Sequence, residues 1–429
     1  MQSLDDALVP IDDVAEVAGG LRALGVEPGD VVSWQSPNRD EVNLAYRACW
    51  RLGAVAAPIH HQAGAADAAR MRAAVAPKLV VDLDALPRGV AVSDRWTDGD
   101  ALGAVLFTSG SSGRPKGVLH TQGALAFKAL QMRTVHECTT ADCVLMPAPA
   151  AHISGLLNGI TLPGVVPFRT VFMARWDAGV ALDLIEREHV TFMVGPPTFF
   201  VSMMQSPGFA RERVASMRLI SSGGAGVSSA FVEQAAAAFG AQVKRTYGST
   251  EAPTIITDGS PIGPVEVCVD TNGELLVRGV ELFRGYLDPA DNEAAFAADG
   301  WFRTGDLATI SDRVVEITGR LKDVIIRGGE NISTAEIESV LESHPQVRHA
   351  VAVGEPDELM GERVAMFVEA PPTFDLSAAR AWFTAQGVAR FKTPERVVVV
   401  DRLPLLPSGK PDRAVLRARL RRGGEEEEE

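Results

Sequence analysis

Short apolar runs alternate with helical patterns through most of the first 250 residues, and this alternation constrains the fold more than any other feature. The predicted helices are 13–24, 40–52, 177–189 and 229–239, and the predicted strands are 31–35, 79–82, 104–108, 191–194, 218–221 and 242–246. In the third helix, Leu182, Ile185 and His189 recur at the spacing of one helical face. Strand–helix alternation predicts parallel sheets covered by helices, with ligands at the carboxyl ends of the strands.

A second region follows Asp270, where short strands and turns replace the alternation. Residues 273–279 and 313–317 fit strands of a more antiparallel, barrel-like region. From Gly319 onward the chain has the pattern of a small α+β domain. Its predicted elements are a helix opened by the capping box of Ser333 and Glu336, strands at 349–353, 363–369 and 396–400, and a helix at 377–386.

These patterns predict the α/β fold class with two domains. Residues 1–321 are expected to form a large domain of parallel-rich sheets flanked by helices, together with the small barrel-like region. Residues 322–429 are expected to form a small, mobile α+β domain that ends in the acidic run 425–429. We expect that run to be a solvated tail or a remnant of expression.

Composition excludes several classes of function. Lys and Arg total 41 against 55 Asp and Glu, and the net charge of −14 argues against a nucleic-acid partner, which needs a basic surface. The four cysteines form no CxxC pair and have no histidine at ligand spacing, so neither a zinc site nor a disulfide framework is expected. Together with an N-terminus that lacks the features of a signal peptide, they favour the cytoplasm.

Residues 143–168 contain no charged side chain, and the stretch is long enough to span a bilayer. Prolines and glycines interrupt it, however, at Pro147, Pro149, Gly155, Gly159, Pro163, Gly164 and Pro167. We therefore predict a buried strand and the wall of a pocket, and no membrane span.

A phosphate-binding loop is predicted directly after the strand at 104–108, where a parallel sheet places its ligands. The loop comprises Thr108, Ser109, Gly110, Ser111, Ser112, Gly113, Arg114, Pro115, Lys116 and Gly117. Backbone N–H groups and hydroxyls in such a turn can surround phosphate oxygens, and Lys116 adds a fixed positive charge. It is not a P-loop of the GxxxxGK[ST] kind, because Gly117 follows Lys116. The alternative, a flexible Gly/Ser linker, fits poorly beside an apolar strand.

Five motifs follow one another along the chain: TSGSSGRPKG at 108–117, YGSTE at 247–251, WFRTGD at 301–306, GRLKD at 319–323 and PSGK at 407–410. In this order and approximate spacing, the chain resembles the adenylate-forming superfamily of acyl-CoA synthetases, luciferases and peptide-synthetase adenylation domains. The resemblance covers nearly the whole chain. It implies an enzyme that activates a small carboxylic acid with ATP and Mg²⁺ and passes the acyl group to the thiol of CoA.

The resemblance also assigns roles to residues. Glu251 would bind Mg²⁺ as a hard oxygen ligand, Asp306 would accept the ribose hydroxyls, and Arg320 would reach the ribose or the phosphates. The adenine-binding segment would be Gly223, Gly224 and Ala225. The other ATP-binding residues would be Thr246, Tyr247, Gly248, Ser249 and Thr250, with the phosphate loop and Lys410. Taken singly, each has an ordinary alternative, such as a solvated glutamate, a tight turn or a surface ion pair.

Lys410 would carry the first chemical step, with Glu251, Thr108 and Lys116 as the other catalytic residues. A carboxylate that attacks the α-phosphate brings two anions together, so negative charge accumulates in the transition state. A lysine that contacts both groups stabilises that charge where it develops. The alternative is a surface lysine in a proline-rich loop.

Lys322 occupies the position that the superfamily uses as a hinge between its domains. The small domain would rotate after the adenylate forms, so that Lys410 leaves. The loop with Gly328, Gly329 and Glu330 would then line the tunnel for the CoA thiol, where glycines permit a close backbone approach. On sequence alone, this loop could instead be a plain connection between a strand and a helix.

The predicted acyl pocket comprises His152, Gly195, Pro196, Pro197, Gly223 and Tyr247. No carboxylate lies within residues 143–168, which disfavours an α-amino acid, and no arginine is placed to meet a second carboxylate. An apolar aliphatic, alicyclic or aromatic monocarboxylic acid fits best. His152 either flanks the reacting carboxylate or is a hydrogen-bonded structural histidine.

The predicted function is therefore that of an AMP-forming acyl-CoA synthetase, as in fatty acid metabolism. One alternative is a ligase that loads a carrier-protein thiol or stops at the adenylate. Another is a non-catalytic nucleotide-binding descendant, because the segments before Asp13, at 82–104 and at 251–262 are shorter than is common in the superfamily. The choice between a monomer and a homodimer stays open.

Overall fold

The computed structural model describes residues 1–108, 115–224, 226–327, 330–357, 359–406 and 411–425. The chain forms two compact units. The first comprises Met1–Val267 and Val277–Phe302, and the second comprises Cys268–Leu276 and Arg303–Glu429. This division groups residues 303–321 with the C-terminal part of the chain. The functional boundary after residue 321 and the hinge at Lys322 stay predictions.

The strands, in chain order, are β1 (Val31–Ser36), β2 (Val55–His60), β3 (Leu79–Val80), β4 (Leu102–Thr108), β5 (Lys116–Thr121), β6 (Cys143–Met146), β7 (Arg169–Phe172), β8 (Phe192–Gly195), β9 (Leu219–Gly223), β10 (Gln242–Tyr247), β11 (Ile256–Thr257), β12 (Ser260–Pro261), β13 (Glu266–Val269), β14 (Glu274–Arg278), β15 (Gly285–Tyr286), β16 (Phe302–Ser311), β17 (Val314–Arg320), β18 (Val324–Arg327), β19 (Glu330–Ser333), β20 (His349–Asp357), β21 (Gly361–Glu369) and β22 (Arg396–Val399). The α-helices are α1 (Leu4–Ala7), α2 (Asp12–Ala23), α3 (Asp40–Arg51), α4 (Ala65–Val75), α5 (Gln122–Val135), α6 (Ile153–Leu156), α7 (Leu162–Val165), α8 (Ala178–Glu188), α9 (Pro197–Met204), α10 (Ser229–Phe239), α11 (Ala290–Glu293), α12 (Thr334–Glu342), α13 (Leu376–Ala385) and α14 (Arg413–Glu425).

Two parallel-rich sheets organise the first unit. The six-stranded sheet has the order β15-β5-β4-β2-β1-β3, in which β1 to β4 run parallel and β5 and β15 are antiparallel to their neighbours. The seven-stranded sheet has the order β12-β11-β10-β9-β8-β6-β7, in which β6 to β10 run parallel. The predicted parallel sheets are therefore confirmed.

The four helices predicted for this unit are present, each within one residue at either end. In α3, acidic residues begin the helix, where they favour the positive end of its dipole, and the rings of Tyr46 and Trp50 are fully buried. Helix α10 begins after Ser228, whose hydroxyl accepts the N–H of Phe231, and it ends at Gly240 with φ +67°. Side-chain caps thus begin α8 and α10, whereas α3 begins with acidic residues alone.

The uncharged stretch 143–168 differs from its prediction, because only Cys143–Met146 is a strand. Residues 153–165 are helical, with a π-helical segment at Leu157–Thr161. Its glycines allow close packing: a Cβ at Gly155 would overlap the Pro149 carbonyl oxygen. Across the part of the chain that the structure describes, no helix is long and apolar enough to cross a membrane.

The remaining strands form a four-stranded sheet, β13-β14-β16-β17, and a five-stranded sheet, β19-β18-β21-β20, with β22 parallel to β21. The first provides the predicted barrel-like region, and β16 and β17 pair antiparallel. The predicted capping box is confirmed, since the Ser333 hydroxyl accepts the Glu336 N–H as α12 begins. The possible strand–helix connection after Arg327 is wrong: Arg327 and Glu330 pair across the antiparallel strands β18 and β19.

Candidate active site

The carboxyl ends of β8, β9 and β10 lie side by side at one edge of the seven-stranded sheet. Gly195 pairs with Ser222 across β8 and β9, and Gly223 pairs with Thr246 across β9 and β10. From this edge continue Pro196 and Pro197 after β8, Gly224 after β9, and Gly248 after Tyr247 at the end of β10. The structure therefore brings the predicted acyl-pocket and ATP-binding residues of these strands together, while Ala225 lies outside the described residues.

Gly223 sits where no side chain fits. A Cβ there would overlap both the carbonyl oxygen and the hydroxyl of Thr246. The Thr246 hydroxyl in turn donates to the carbonyl oxygen of Ser222 at 3.1 Å. The backbones of β9 and β10 therefore approach closely at the position predicted to hold adenine.

Loop 248–254 connects β10 with β11 and carries Glu251. The loop is compact: the Ser249 N–H donates to the Ala252 carbonyl at 3.0 Å, and the Ala252 N–H donates to the Ser249 hydroxyl at 3.1 Å. The N–H of Phe283 donates to the Glu251 carbonyl at 2.8 Å, which ties the loop to the chain before β15. The backbone at Glu251 is thus fixed from inside and outside the loop.

Four side chains form what we call the Glu251 cluster: Glu251, Tyr286, Lys116 and Asp291. The Tyr286 hydroxyl donates to Glu251 Oε1 at 2.8 Å. Lys116 Nζ lies 4.7 Å from the centroid of the Tyr286 ring and 3.2 Å from Asp291 Oδ1. Burial, and then the Glu251 charge, raise the pKa of Tyr286 far above its usual value, so its hydroxyl stays a donor.

Thr108 and Lys116 are cross-strand partners at the end of the β4–β5 hairpin. The predicted phosphate loop therefore follows a strand, as expected, and its two ends are held next to each other. Residues 109–114 lie outside the described residues, so Ser109, Gly110, Ser111, Ser112 and Gly113 stay predictions.

The surroundings of Glu251 fit a site in which one protein carboxylate binds Mg²⁺ together with substrate phosphates and water. Within the described ranges, no three His, Cys, Asp or Glu side chains are grouped to hold a metal ion. Mg²⁺ usually keeps several waters and binds one or two carboxylates together with substrate phosphates, so such a group is not required. Glu251 is half-buried, and its carboxylate has acceptor capacity beyond the bond from Tyr286.

His152, a residue of the predicted acyl pocket, stacks with two further histidines. The ring of His152 lies 5.0 Å from that of His60, which lies 4.7 Å from that of His61. Burial, followed by the two neighbouring histidines, lowers the pKa of His60 to about 4, so this ring is neutral at pH 7. Sequence reasoning missed His60 and His61, although two adjacent histidines after the apolar run 54–59 were a visible signal.

Buried ionisable groups lie behind loop 248–254, and sequence reasoning missed them too. Lys128 Nζ donates to the Thr254 carbonyl at 3.2 Å and to Glu281 Oε1 at 3.4 Å, and both charged side chains are fully buried. Burial lowers the pKa of Lys128 to about 8, with the Glu281 charge acting in the opposite direction. Burial also lowers the pKa of His120 to about 4, although the Thr250 backbone partly offsets this.

The second unit holds the predicted ribose-binding pair. Asp306 and Arg320 are cross-strand partners on β16 and β17, and Arg320 Nε lies 2.9 Å from the buried Asp306 Oδ1. Lys322 lies in the 3₁₀ turn Leu321–Asp323, and Glu330 begins β19. Gly328, Gly329 and Lys410 lie outside the described residues.

Comparisons with known proteins identify the family of the chain. The sequence pattern of the AMP-binding enzyme family matches residues 12–94 and 85–287, and that of the AMP-binding enzyme C-terminal domain matches residues 336–410. The chain belongs to the AMP-binding enzyme family, which is the adenylate-forming superfamily.

Individual relatives narrow the class. A feruloyl-CoA synthase from Amycolatopsis is 31% identical over 95% of this chain and 92% of its own length. The medium-chain fatty-acid–CoA ligase of Escherichia coli is 29% identical over 95% of this chain and 84% of its own length. The ATP-bound crystal structure of MatB from Rhodopseudomonas palustris is 27% identical, with a TM-score of 0.86 over 95% of this chain and 92% of that one. The chain is an AMP-forming acid–thiol ligase of the acyl-CoA synthetase branch, and the predicted ATP, Mg²⁺ and CoA agree with that class.

Proposed function

We propose that this chain joins an apolar monocarboxylic acid to CoA through an acyl-adenylate, with release of AMP and pyrophosphate. One observation carries the proposal: Gly195, Gly223 and Tyr247, from the predicted acyl pocket and ATP site, lie at the adjacent carboxyl ends of β8, β9 and β10, and loop 248–254 with Glu251 follows β10 directly. Such an edge can bind a carboxylate and a nucleotide together.

In the first step, a carboxylate oxygen attacks the α-phosphorus, and the bond between that phosphorus and pyrophosphate breaks. Glu251 would hold Mg²⁺, which when bound offsets charge on the phosphates. Thr108 and Lys116 would hold phosphate oxygens, and Lys410 would stabilise the charge that develops at the reacting groups. In the second step, the CoA thiolate attacks the acyl carbonyl and AMP leaves, with Gly328, Gly329 and Glu330 lining the thiol path.

The residues around the predicted pocket favour an acid with an apolar body. Residues 143–168 carry no charge, and the His60 and His152 rings add half-buried aromatic surface. Phe199, after Pro197, stacks on Trp176 with 4.1 Å between the ring centroids. Relatives named for feruloyl and medium-chain fatty acyl products also favour a monocarboxylic acid with an apolar body.

The test is acid-dependent ATP–pyrophosphate exchange, followed by CoA-dependent AMP release, over short-chain, medium-chain, long-chain and ring-bearing acids. We expect exchange with one class of apolar acid and a loss of about 100–1,000-fold in Lys410→Ala. Adenylate formation without transfer to CoA, but with transfer to a carrier-protein thiol, would favour the carrier-loading alternative. If none of the acids supports ATP–pyrophosphate exchange, the non-catalytic alternative is favoured. A preference for a dicarboxylic acid would contradict the proposed substrate class.

A further inference from the structure

Loop 248–254 is held at three points, and two of them lie at Glu251 itself. Tyr286 contacts its carboxylate and Phe283 contacts its carbonyl. The third point is the Thr254 carbonyl, which accepts a hydrogen bond from Lys128 on α5. Lys128 is in turn held by Glu281, which lies two residues before Phe283. The loop is therefore anchored at its end as well as at its middle.

The Lys128–Glu281 pair is an unusual way to stabilise a fold. Both side chains are completely buried, and the desolvation of two charges commonly exceeds their mutual attraction. In other proteins, apolar pairs of similar volume in place of buried ion pairs are often no less stable. The role of the pair is therefore better inferred from the groups that it contacts than from a contribution to the stability of the fold.

The backbone at Thr254 gives the contact its importance. Thr254 has φ +40°, in the left-handed region that a β-branched residue rarely adopts. Such a conformation persists only where its surroundings hold it in place. Lys128 binds the carbonyl of this residue, and Gly248 has no room for a side chain against the Thr254 amide. The strained turn fixes the path of the chain from Glu251 to β11.

We propose that Lys128 and Glu281 are positioning residues for Glu251, and that they hold loop 248–254 in the conformation that binds Mg²⁺ with ATP. This inference rests on the proposed function, in which Glu251 is the metal ligand. Lys128 acts directly, through Thr254, and Glu281 acts by orienting the Lys128 ammonium. Groups that orient a metal ligand commonly change metal affinity or activity by about 10–100-fold when they are removed.

The test is the double variant Lys128→Met/Glu281→Leu, which replaces both charges by apolar side chains and leaves neither unpaired. Binding of Mg²⁺ with ATP is measured by calorimetry, and amide hydrogen exchange of residues 249–254 is measured without nucleotide. We expect affinity to fall by about 10–100-fold and exchange to become faster in this loop. Unchanged affinity and unchanged exchange would overturn the proposal.

A matched control is Asp5→Leu/Arg51→Met, which removes another buried ion pair of the first unit. Arg51 bonds to Asp5 and to the Val92 carbonyl and has no hydrogen bond to loop 248–254. We expect this control to keep the wild-type affinity within about threefold and the wild-type exchange at residues 249–254. An equal effect of both double variants would mean a general structural role and would overturn the proposal.

Two further variants separate the roles of the two residues. Each leaves one buried charge unpaired, so the thermal unfolding of each variant is measured beside its affinity. Glu281→Gln keeps an acceptor for Lys128, so it should retain most of the affinity, whereas Lys128→Gln shortens the donor and should lose it. Equal behaviour of the two variants would count against the proposed order of action. Because amide hydrogen exchange is measured without nucleotide, it tests whether Lys128 and Glu281 hold loop 248–254 even if no acid in the panel is activated.

Discussion

Replacing Tyr286 by phenylalanine removes one hydroxyl from the Glu251 cluster and leaves the aromatic ring in place. That hydroxyl is the 2.8 Å donor to Glu251 Oε1, and the Tyr286 side chain is only 9% exposed. The ring can still interact with Lys116, because a phenylalanine also presents a negative face to a cation. The variant therefore isolates the hydrogen bond.

The expected magnitude follows from the charge and the exposure of the acceptor. Hydrogen bonds to charged groups contribute about 1.5–3 kcal/mol. Glu251 is half-buried, so water can partly replace the lost donor, and the lower end of that range applies. Since about 1.4 kcal/mol is a factor of ten in rate, we expect kcat/KM for ATP to fall about tenfold in Tyr286→Phe.

The assay is ATP–pyrophosphate exchange with a responsive acid, repeated over a range of Mg²⁺ concentrations. A double-mutant cycle with Glu251→Gln should give a coupling energy of about 1 kcal/mol, because the two side chains touch. The matched control is Tyr46→Phe, which removes a buried hydroxyl that donates to the Ala150 carbonyl at 2.8 Å. It should lower stability and leave the Mg²⁺ dependence unchanged. If Tyr286→Phe behaves as wild type at every Mg²⁺ concentration, the hydrogen bond does not orient Glu251.

Three further predictions concern packing and pH. Gly223→Ala places a methyl group against Thr246, so it should lower Tm, cost about 1–3 kcal/mol and abolish the thermal shift caused by ATP, with wild type as the reference. Burial, and then Lys244 and Arg218, lower the pKa of His136 to about 3. The contribution of His136 to the free energy of unfolding is therefore present above pH 6.5 and is lost as pH falls towards 3, by about 1.4 kcal/mol per pH unit. In urea unfolding, His136→Leu should lack this part of the stability that wild type loses in acid. Burial raises the pKa of Glu338 to about 7, so its contribution to the free energy of unfolding is complete below pH 4.5 and is lost as pH rises through 7. Between pH 5 and 8, Glu338→Gln should lose less stability than wild type, by about 3 kcal/mol at most. Identical pH profiles of stability for the two proteins would contradict this.

The sequence predicted the elements that local chemistry determines. The helix at 40–52 was identifiable from its acidic first turn and apolar face, and the helix at 229–239 from its capping residue Ser228 and apolar face. The capping box at Ser333 was present as expected. The predicted edge of β8, β9 and β10 needed only strand–helix alternation, because parallel strands put their carboxyl ends on the same side. Residues 143–168 were harder to predict, since glycines that break a helix in isolation here allow it to pack against its neighbours.

The candidate site was predictable only where the motifs themselves supplied it. Tyr286 reaches Glu251 through β15, a strand of two residues that shows no periodicity in sequence. Lys128 and Glu281 are 153 residues apart, and neither a helical lysine nor a glutamate after a strand signals a buried partner. Contacts of this kind follow from tertiary packing, which a single sequence does not display.

Two predicted nucleotide-binding cations are already paired with carboxylates in their own units. Lys116 lies against Asp291, and Arg320 lies against Asp306. A phosphate or ribose that binds these cations must therefore exchange an existing partner and does not fill an empty position. The cations are partly exposed, but Asp291 and Asp306 are largely buried, so a ligand that displaces either cation must also leave that carboxylate with a partner. If the proposed site binds Mg²⁺ with ATP, we expect its selectivity among nucleotides to depend more on the Tyr286 hydroxyl and the backbone of loop 248–254, which are held by hydrogen bonds within the unit.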